Sequence, residues 1–465
     1  MDDLKTALDV LADGFGGEIF MPGDPGFGPA RAVWNAMIDR RPAIITRCRD
    51  TGDVVACVRL AGSRNLPIAI RGGGHNVAGH AVCDAGVMID LSLMRGVDID
   101  AARRVAIAQG GALWRDVDAA TQAHGLATPG GLISDTGVAG LTLSGGIGWL
   151  RAQHGLSIDN LLAADVVTAE GALIRASADE NPDLLWALQG GGGNFGVVVR
   201  FEFALHPIGP EIMFAAPIYA LEDGPGPIRA WRDFLHQHGD RVGSLCEFST
   251  AAEGEDFPQE HWGKRVYTLA CVYNGDAQEG EALLAPLREL GDKVTDFSGR
   301  MSYCDVQQLF DTLMPAGDFR CYWKARYLTD LPNEMIDLAM ENAAAAPSDS
   351  TLSSLWNFGG ATARVDAAAT AFGDRSMGWM YSLDGVWTDP GGDAANIAWS
   401  RDGWSSAGRF GHQGRVYLNF PGHGEDGAAL TRAAFGANYQ RLVEIKTKYD
   451  PENRFRFNQN IEPGV

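Results

Sequence analysis

The segment Arg71-Gly72-Gly73-Gly74-His75-Asn76 directly follows Leu66-Pro67-Ile68-Ala69-Ile70, an apolar run of the kind that forms a β-strand. Successive glycines let the main chain approach a ligand closely and turn its N–H groups toward an anion, so the loop suits a pyrophosphate. A neutral imidazole is a nucleophile near neutral pH. Held rigidly by such a loop, His75 can attack an electrophilic carbon of a bound cofactor. A lone histidine more often does no more than cap a loop, but three further glycine sets stand with this one: Pro129-Gly130-Gly131, then Gly137, Gly140, Gly145, Gly146 and Gly148, then Gly190 to Gly193 with Gly196. An extended dinucleotide touched by several loops accounts for them together. Gly191 to Gly196 also match G-x-G-x-x-G, yet a helix-like run (183–189) precedes them and the strand-like run 197–203 follows, the reverse of the order a nicotinamide-dinucleotide fingerprint needs.

The elements that must position these loops read as alternating short strands and helices from Pro42 to Pro207. Strands are expected at 43–45, 66–70, 87–91, 104–108 and 197–203, helices at 53–64 and 113–124, and a hairpin at 165–175 turning at Glu170-Gly171. The class implied is α+β. Pro207, Gly209 and Pro210 mark a boundary, after which longer helical stretches (279–290, 332–346) alternate with strand-like 266–270. The tail reads as a strand at 416–420 and a helix at 430–448. These two elements cannot bury their apolar faces alone, so they are expected to dock back on the first domain. The division expected is 1–209, 210–409 and a returning segment, 410–465.

Composition bounds what such a chain can do. Of its 465 residues 46% are hydrophobic and 21% charged, which suits a globular protein with a large core. A formal net charge of −21 disfavours binding to phosphate backbones and anionic lipid. Met1-Asp2-Asp3-Leu4-Lys5 lacks the basic start and apolar core of a signal peptide, and no apolar run is long enough to span a bilayer, so a soluble cytoplasmic protein, monomer or homodimer, is expected. Seven widely spaced cysteines without a Cys-x-x-Cys pair, and ten histidines without a His-Glu-x-x-His arrangement, give a metal site no support.

The chain resembles the FAD-linked oxidases of the berberine bridge enzyme type, within the vanillyl-alcohol-oxidase-like (PCMH-type) superfamily. The resemblance rests on Arg71 to His75, on Thr136-Gly137-Val138-Ala139-Gly140 continuing to Gly145-Gly146-Ile147-Gly148-Trp149, on His154-Gly155-Leu156 with Asp159-Asn160, and on Trp186 to Gly196. In the tail it rests on Tyr417-Leu418-Asn419-Phe420 and on Lys448 to Ile461. It implies a PCMH-type FAD domain of two α/β subdomains, with an inserted substrate domain whose antiparallel sheet, backed by helices, covers the flavin. It also implies that His75 is bonded to the flavin 8α carbon. Many relatives attach the flavin a second time through a cysteine, but Ile133 stands at that place here, so a single histidyl link is expected. At the matching positions the resemblance puts FAD against Arg71, Gly72, Gly73, Gly74, His75, Asn76 and Gly79. A second group is Pro129, Gly130, Ser134, Asp135, Thr136, Gly137, Gly140, Gly145, Gly146, Gly148 and Trp149. Further along come Gly155, Leu156, Asn160, Gly196, Val198, Tyr417, Asn419 and Asn458.

For the chemistry the resemblance implies a proton acceptor beside the flavin, from the substrate-domain sheet or from the tyrosine matching Tyr417. Ile147 removes another position that some relatives fill with tyrosine. Relatives often carry an acid on the strand Leu355-Trp356-Asn357-Phe358, where this chain has none. Asn357 can orient a substrate but cannot take its proton. Tyr381, Lys324 and Glu247 are the alternatives, each with a bland fate as surface or core residue. Thr136 occupies the position thought to govern oxygen access, and its small side chain is expected to admit oxygen. The function expected is a covalent-FAD oxidase taking hydride from an alcohol, amine, sugar or phenolic, polyketide-like small molecule, with molecular oxygen as acceptor. The alternative is an oxygenating enzyme of natural-product biosynthesis.

Overall fold

The computed structural model describes residues 14–373, 375–412, 415–424 and 427–464. The N-terminal reading at Met1 to Lys5 lies outside them. Four strands, β1 (Glu18–Phe20), β2 (Ile44–Arg47), β3 (Ile68–Arg71) and β4 (Val87–Asp90), form a sheet in the order β1-β2-β4-β3. The pairs β2–β4 and β3–β4 are parallel. The helix Thr51–Ser63 makes the crossover. Asp50 caps it by accepting from the Asp53 N–H, and Val54, Cys57, Val58 and Ala61 repeat at helical spacing and are fully buried. Strand β3 ends at Arg71, so the glycine loop leaves the sheet at a fixed point.

A second, antiparallel sheet has the order β5-β6-β10-β8-β9, from β5 (Val97–Asp100), β6 (Val105–Gln109), β8 (Leu161–Val167), β9 (Leu173–Ser177) and β10 (Val197–Ala204). The short β7 (Leu126–Ala127) and β11 (His206–Pro207) pair beside it. The tail packs here: Val416, Leu418, Ala434, Phe435, Leu442, Ile445 and Ile461 share one core with Trp114, Trp186 and Phe201. The strand expected at 416–420 does not form. Val416 and Leu418 enter this core while Tyr417 enters the neighbouring one, so the segment is held by burial on both sides and has no ladder partner. The helix expected at 430–448 is two helices, Ala428–Phe435 and Tyr439–Tyr449, broken where Gly436 takes a φ of +53°. Similarly, the run 279–290 is the α-helix Ala277–Leu284 followed by a 3-10 turn.

The third sheet is built from β12 (Ile212–Ala215), β13 (Pro217–Ala220), β14 (Gly243–Thr250), β15 (Arg265–Tyr273), β16 (Thr295–Asp296), β17 (Gly299–Met301), β18 (Arg320–Leu328), β19 (Leu352–Asn357) and β20 (Trp379–Trp387). Its main path is β16-β13-β15-β14-β19-β20-β18. One face buries Cys246, Phe248, Leu355, Tyr381 and Leu383 against the helices Gly226–His238 and Asn333–Ala344. The opposite face carries Leu245, Trp356 and Met380 toward Ile147, Trp149 and Tyr417 of the glycine-loop region. The architecture is α+β, and no helix among the described residues is long and apolar enough to cross a membrane.

Two buried cations tie these parts together. Arg151 donates to the carbonyls of Gly148 (2.9 Å), Asn357 (3.0 Å) and Ser244, and to Asn357 Oδ1 (2.9 Å), which joins the second glycine loop to β14 and β19. Lys446, fully buried, donates to Asp450 Oδ2 (2.6 Å) and to the carbonyls of Asn194 (2.8 Å) and Phe455 (2.9 Å). Removing one partner of such a pair strands the other charge in the core. Lys446→Met is therefore expected to destabilise the protein by ~3–5 kcal/mol, read as a lowered midpoint in thermal or urea unfolding, whereas Lys448→Met on the exposed side of the same helix should change it little.

Candidate functional site

The glycine loops meet around a cavity of about 300 Å³. From the first loop Gly72, Gly73, Gly74, His75 and Asn76 line it, and from the second Ile133, Thr136, Gly137 and Gly140. Gly193, Gly196 and Val198 follow, then Tyr417 and Asn419, and then Phe457, Asn458 and Gln459 of the tail. Two loops touch backbone to backbone: a Cβ on Gly73 would lie 2.4 Å from the Gly137 nitrogen, and one on Gly137 2.3 Å from that of Gly73, so only glycine fits either position. Toward the cavity the space is open instead, with nothing within 4 Å of where a Cβ on Gly140 or Gly193 would stand.

A dinucleotide fits these residues. Among the described residues the N–H groups of Gly73, Gly74, His75 and Asn76 have no acceptor within the protein. Asn458 Oδ1 and Gln459 Nε2, both at the cavity wall, are buried without partners. Buried polar groups are seldom left unsatisfied, so this set is built for a polar ligand.

Comparison with known proteins identifies the ligand. The family model of a FAD binding domain matches residues 42–177, and that of "Berberine and berberine like" proteins matches 416–462. The (R)-6-hydroxynicotine oxidase of Paenarthrobacter nicotinovorans is 32% identical over 99% of this chain and 98% of its own length. The chain belongs to the berberine bridge enzyme-like FAD-linked oxidoreductases. The FAD-linked oxidoreductase pgmH of Aspergillus terreus is 31% identical over 92% of this chain and 89% of its own. The crystal structure of 6-hydroxy-D-nicotine oxidase from Arthrobacter nicotinovorans superposes with a TM-score of 0.86 at 28% identity, covering 97% of this chain and 99% of the other.

In this flavoenzyme the large sheet closes the cavity opposite the glycine loops. Strand parity decides which side chains reach it. Leu245 and Glu247 of β14, Leu352, Ser354 and Trp356 of β19, Trp323 of β18 and Asp384 of β20 all line it. The register sets Glu247 opposite Ser354, Ser354 opposite Ser382, and Asp384 between Leu352 and Trp323. Ser354 donates to Glu247 (3.3 Å) and Ser382 to Asp384 (2.9 Å), and Asp384 Oδ1 has no partner. Glu247 is half-buried at the cavity wall. Burial pushes its carboxyl up to about 7 against the pull of the Ser354 hydroxyl, and burial together with the nearby Glu247 charge pushes Asp384 up to about 8.

Several expected site residues have other duties. Asn357 and Tyr381 sit on the wrong parity of β19 and β20. Asn357 Oδ1 accepts from Arg151 and from the Ser244 N–H, and its amide donates to the Val242 carbonyl, so it cannot orient a substrate. Tyr381 packs among the helices, its hydroxyl accepting from Asn342 at 3.1 Å. Lys324 lies over the Trp404 ring at 4.3 Å on that same helical side. Tyr417 does line the cavity, but its oxygen accepts from Asn419 (2.7 Å) and the Gly146 N–H (3.2 Å), and burial pushes the phenol up to about 12. Two donors on its oxygen and a raised phenol make it a poor proton acceptor.

Among the cofactor positions, Pro129, Gly130, Gly148 and Trp149 are packing residues: a Cβ on Gly130 would strike the Trp114 ring, and one on Gly148 the Gly130 carbonyl. Gly145 abuts Phe372, and Gly146 abuts Ser157. Gly155, Leu156 and Asn160 form a turn off the cavity, with Asn160 donating to the His154 and Leu156 carbonyls. Gly79 lies against Ile38, while Arg71 donates to the Ala30 carbonyl behind the loop. Ser134 and Asp135 stand just behind the wall, Ser134 bonded to Asp311 and Asp135 beside His75. Asp384, Trp323 and Trp34 were missed in the sequence; the first two lie on the cavity face that period-two counting from Glu247 and Trp356 marks once the strand pairing is known, whereas Trp34 lies outside any strand and carries no such signal.

Gly140→Leu places a side chain in the open cradle without disturbing a neighbour. The variant is expected to fold but to bind FAD about tenfold or more weakly, a loss of at least ~1.4 kcal/mol, seen as a low flavin-to-protein absorbance ratio.

Proposed function

We propose that this protein is an FAD-dependent oxidase for a flat, largely apolar small molecule carrying an amine or hydroxyl, with Glu247 and Asp384 together as the proton acceptor. The observation that carries the reading is the pair of carboxyl groups, Asp384 buried and Glu247 half-buried, that face the cavity opposite the flavin-binding loops. Bound FAD supplies a hydride acceptor that molecular oxygen regenerates with release of hydrogen peroxide. The residues supply the rest. Trp323, Trp356, Phe310 and Phe420 give the substrate flat walls and keep water out. The two acids titrate as a pair, so near neutral pH one is ionised to take a proton while the other keeps one to donate. No lysine or arginine lines the cavity among the described residues, which favours a protonated amine over an anionic substrate. The name of the hydroxynicotine oxidase relative agrees with that choice.

His75 lines the cavity and Ile133 stands where a second, cysteinyl anchor would have to be, which supports a single histidyl attachment. Thr136 lines the wall as a small side chain that leaves room for oxygen. The same reading takes 1–209 with the returning 410–465 as the FAD domain and 210–409 as the substrate domain.

Because the base must be deprotonated, kcat/KM is expected to rise with pH through the region of about 7 to 8, and Glu247→Gln should lower kcat by about 10²–10⁴-fold and flatten that rise. A variant with an unchanged profile would remove the acid from the mechanism. Acid precipitation of the wild type should carry flavin into the pellet, and His75→Ala should leave it in the supernatant. Product mass should show loss of two hydrogens, whereas a gained oxygen atom would move the reading to an oxygenating enzyme.

A further inference from the structure

We propose that Asp135 is the positioning residue for covalent attachment of FAD at His75, an inference that rests on the reading of His75 as the attachment point. His75 Nε2 stands 2.9 Å from Asp135 Oδ1, the imidazole's sole polar neighbour among the described residues, and Oδ1, buried, makes no aligned hydrogen bond with any group, so it is free to turn onto the ring. Trp34 stacks on the ring at 5.3 Å between centroids and 22° between planes. Trp34 is itself fixed, its backbone N–H donating to the Gly74 carbonyl (3.1 Å) and its indole N–H to that of Met314 (3.2 Å). The imidazole is thus set in plane by Trp34 and in rotation by Asp135.

The acid is placed just as firmly. The Trp114 N–H donates to the Thr136 carbonyl (3.0 Å), the Arg115 N–H to that of Ser134 (2.8 Å), and the Ser134 N–H to Asp311 (2.8 Å), so the segment carrying Asp135 is anchored on both sides. Burial raises its carboxyl, but the His75 ring and the Arg115 charge lower it further, leaving it below the ordinary value and ionised at neutral pH. An anion facing Nε2 draws the ring proton to that nitrogen, which leaves the lone pair on Nδ1, the atom with no partner among the described residues.

In the attachment the Nδ1–C bond to the flavin 8α-methyl carbon forms and one C–H bond of that methyl breaks, its proton leaving to solvent. The imidazole becomes cationic as the bond forms. Asp135 stabilises that charge and accepts the Nε2 proton. The two electrons of the broken C–H bond stay in the flavin ring until molecular oxygen, the oxidant, removes them with two protons as hydrogen peroxide. With Ile133 unable to make a second link, this one step fixes the cofactor.

The test compares wild type with Asp135→Asn, Asp135→Glu and His75→Ala, each produced with FAD. Total flavin per protein is read by absorbance, and covalent flavin in the acid-precipitated pellet is followed over time in air. Asp135→Asn is expected to hold a normal amount of FAD but to make the bond about tenfold or more slowly, because an amide no longer dictates the tautomer. Asp135→Glu should recover most of the rate. Attachment by Asp135→Asn at the wild-type rate overturns the inference. So does loss of FAD from Asp135→Asn when His75→Ala retains it, since Asp135 would then be part of the cradle. Wild-type flavin in the supernatant would instead overturn the histidyl attachment itself.

Discussion

The guanidinium of Arg151 is fully buried and has no carboxylate partner among the described residues. Burial pulls it down to about 9, and carbonyl oxygens, one side-chain amide and the faces of Trp356 and Phe358 hold it charged. Such a group is costly to bury unless every donor is used, and here the acceptors come from two separate regions: Gly148 at the end of the second glycine loop, and Ser244 and Asn357 on neighbouring strands of the large sheet. Those three points therefore hold one relative position. The Trp356 ring, two sides of which face the guanidinium and the cavity, is fixed by the same contact at 5.6 Å. The distance between cofactor loops and substrate face is in this way set by a cation that touches neither ligand.

From that spacing the electrostatics of the site follow. A sheet held against apolar rings leaves Glu247 and Asp384 little water, so both resist ionisation. Their serine partners soften the effect without cancelling it. At the other side of the cavity Asp135 stays ionised because an imidazole and an arginine face it. Three carboxyl groups around one cavity are thus shifted in opposite directions, two up and one down, by what packs on them and not by residue type.

Much of the cofactor side was legible in the sequence because glycine carries its reason locally. Gly73 and Gly137 have to be glycine for a backbone contact, and the strand before the first loop was readable as an apolar run. The substrate side was not. Glu247 looks the same in sequence whether it faces a cavity or solvent, and Asp384 sits in a run, Trp379 to Trp387, that is buried throughout and shows no alternation to read. Asn357 misled for a related reason: it lies one residue from the cavity-facing Trp356, and one residue on a strand is the opposite face. The tail misled differently. Alternation at 416–420 reflects two cores on either side of an extended segment, which mimics the pattern of a paired strand.

The Lys446 contacts have an implication for biosynthesis. The loop at Asn194 and the turn at Phe455, about 260 positions apart in the chain, meet on one ammonium group and on direct bonds from Asn458 and Ile461 to the Gly193 carbonyl and Asn194 Oδ1. On a ribosome, the glycine loops emerge long before the helix that braces them, so the flavin cradle cannot close until the large sheet has been translated. Cofactor capture by the closed cradle is then an event of the nearly complete chain.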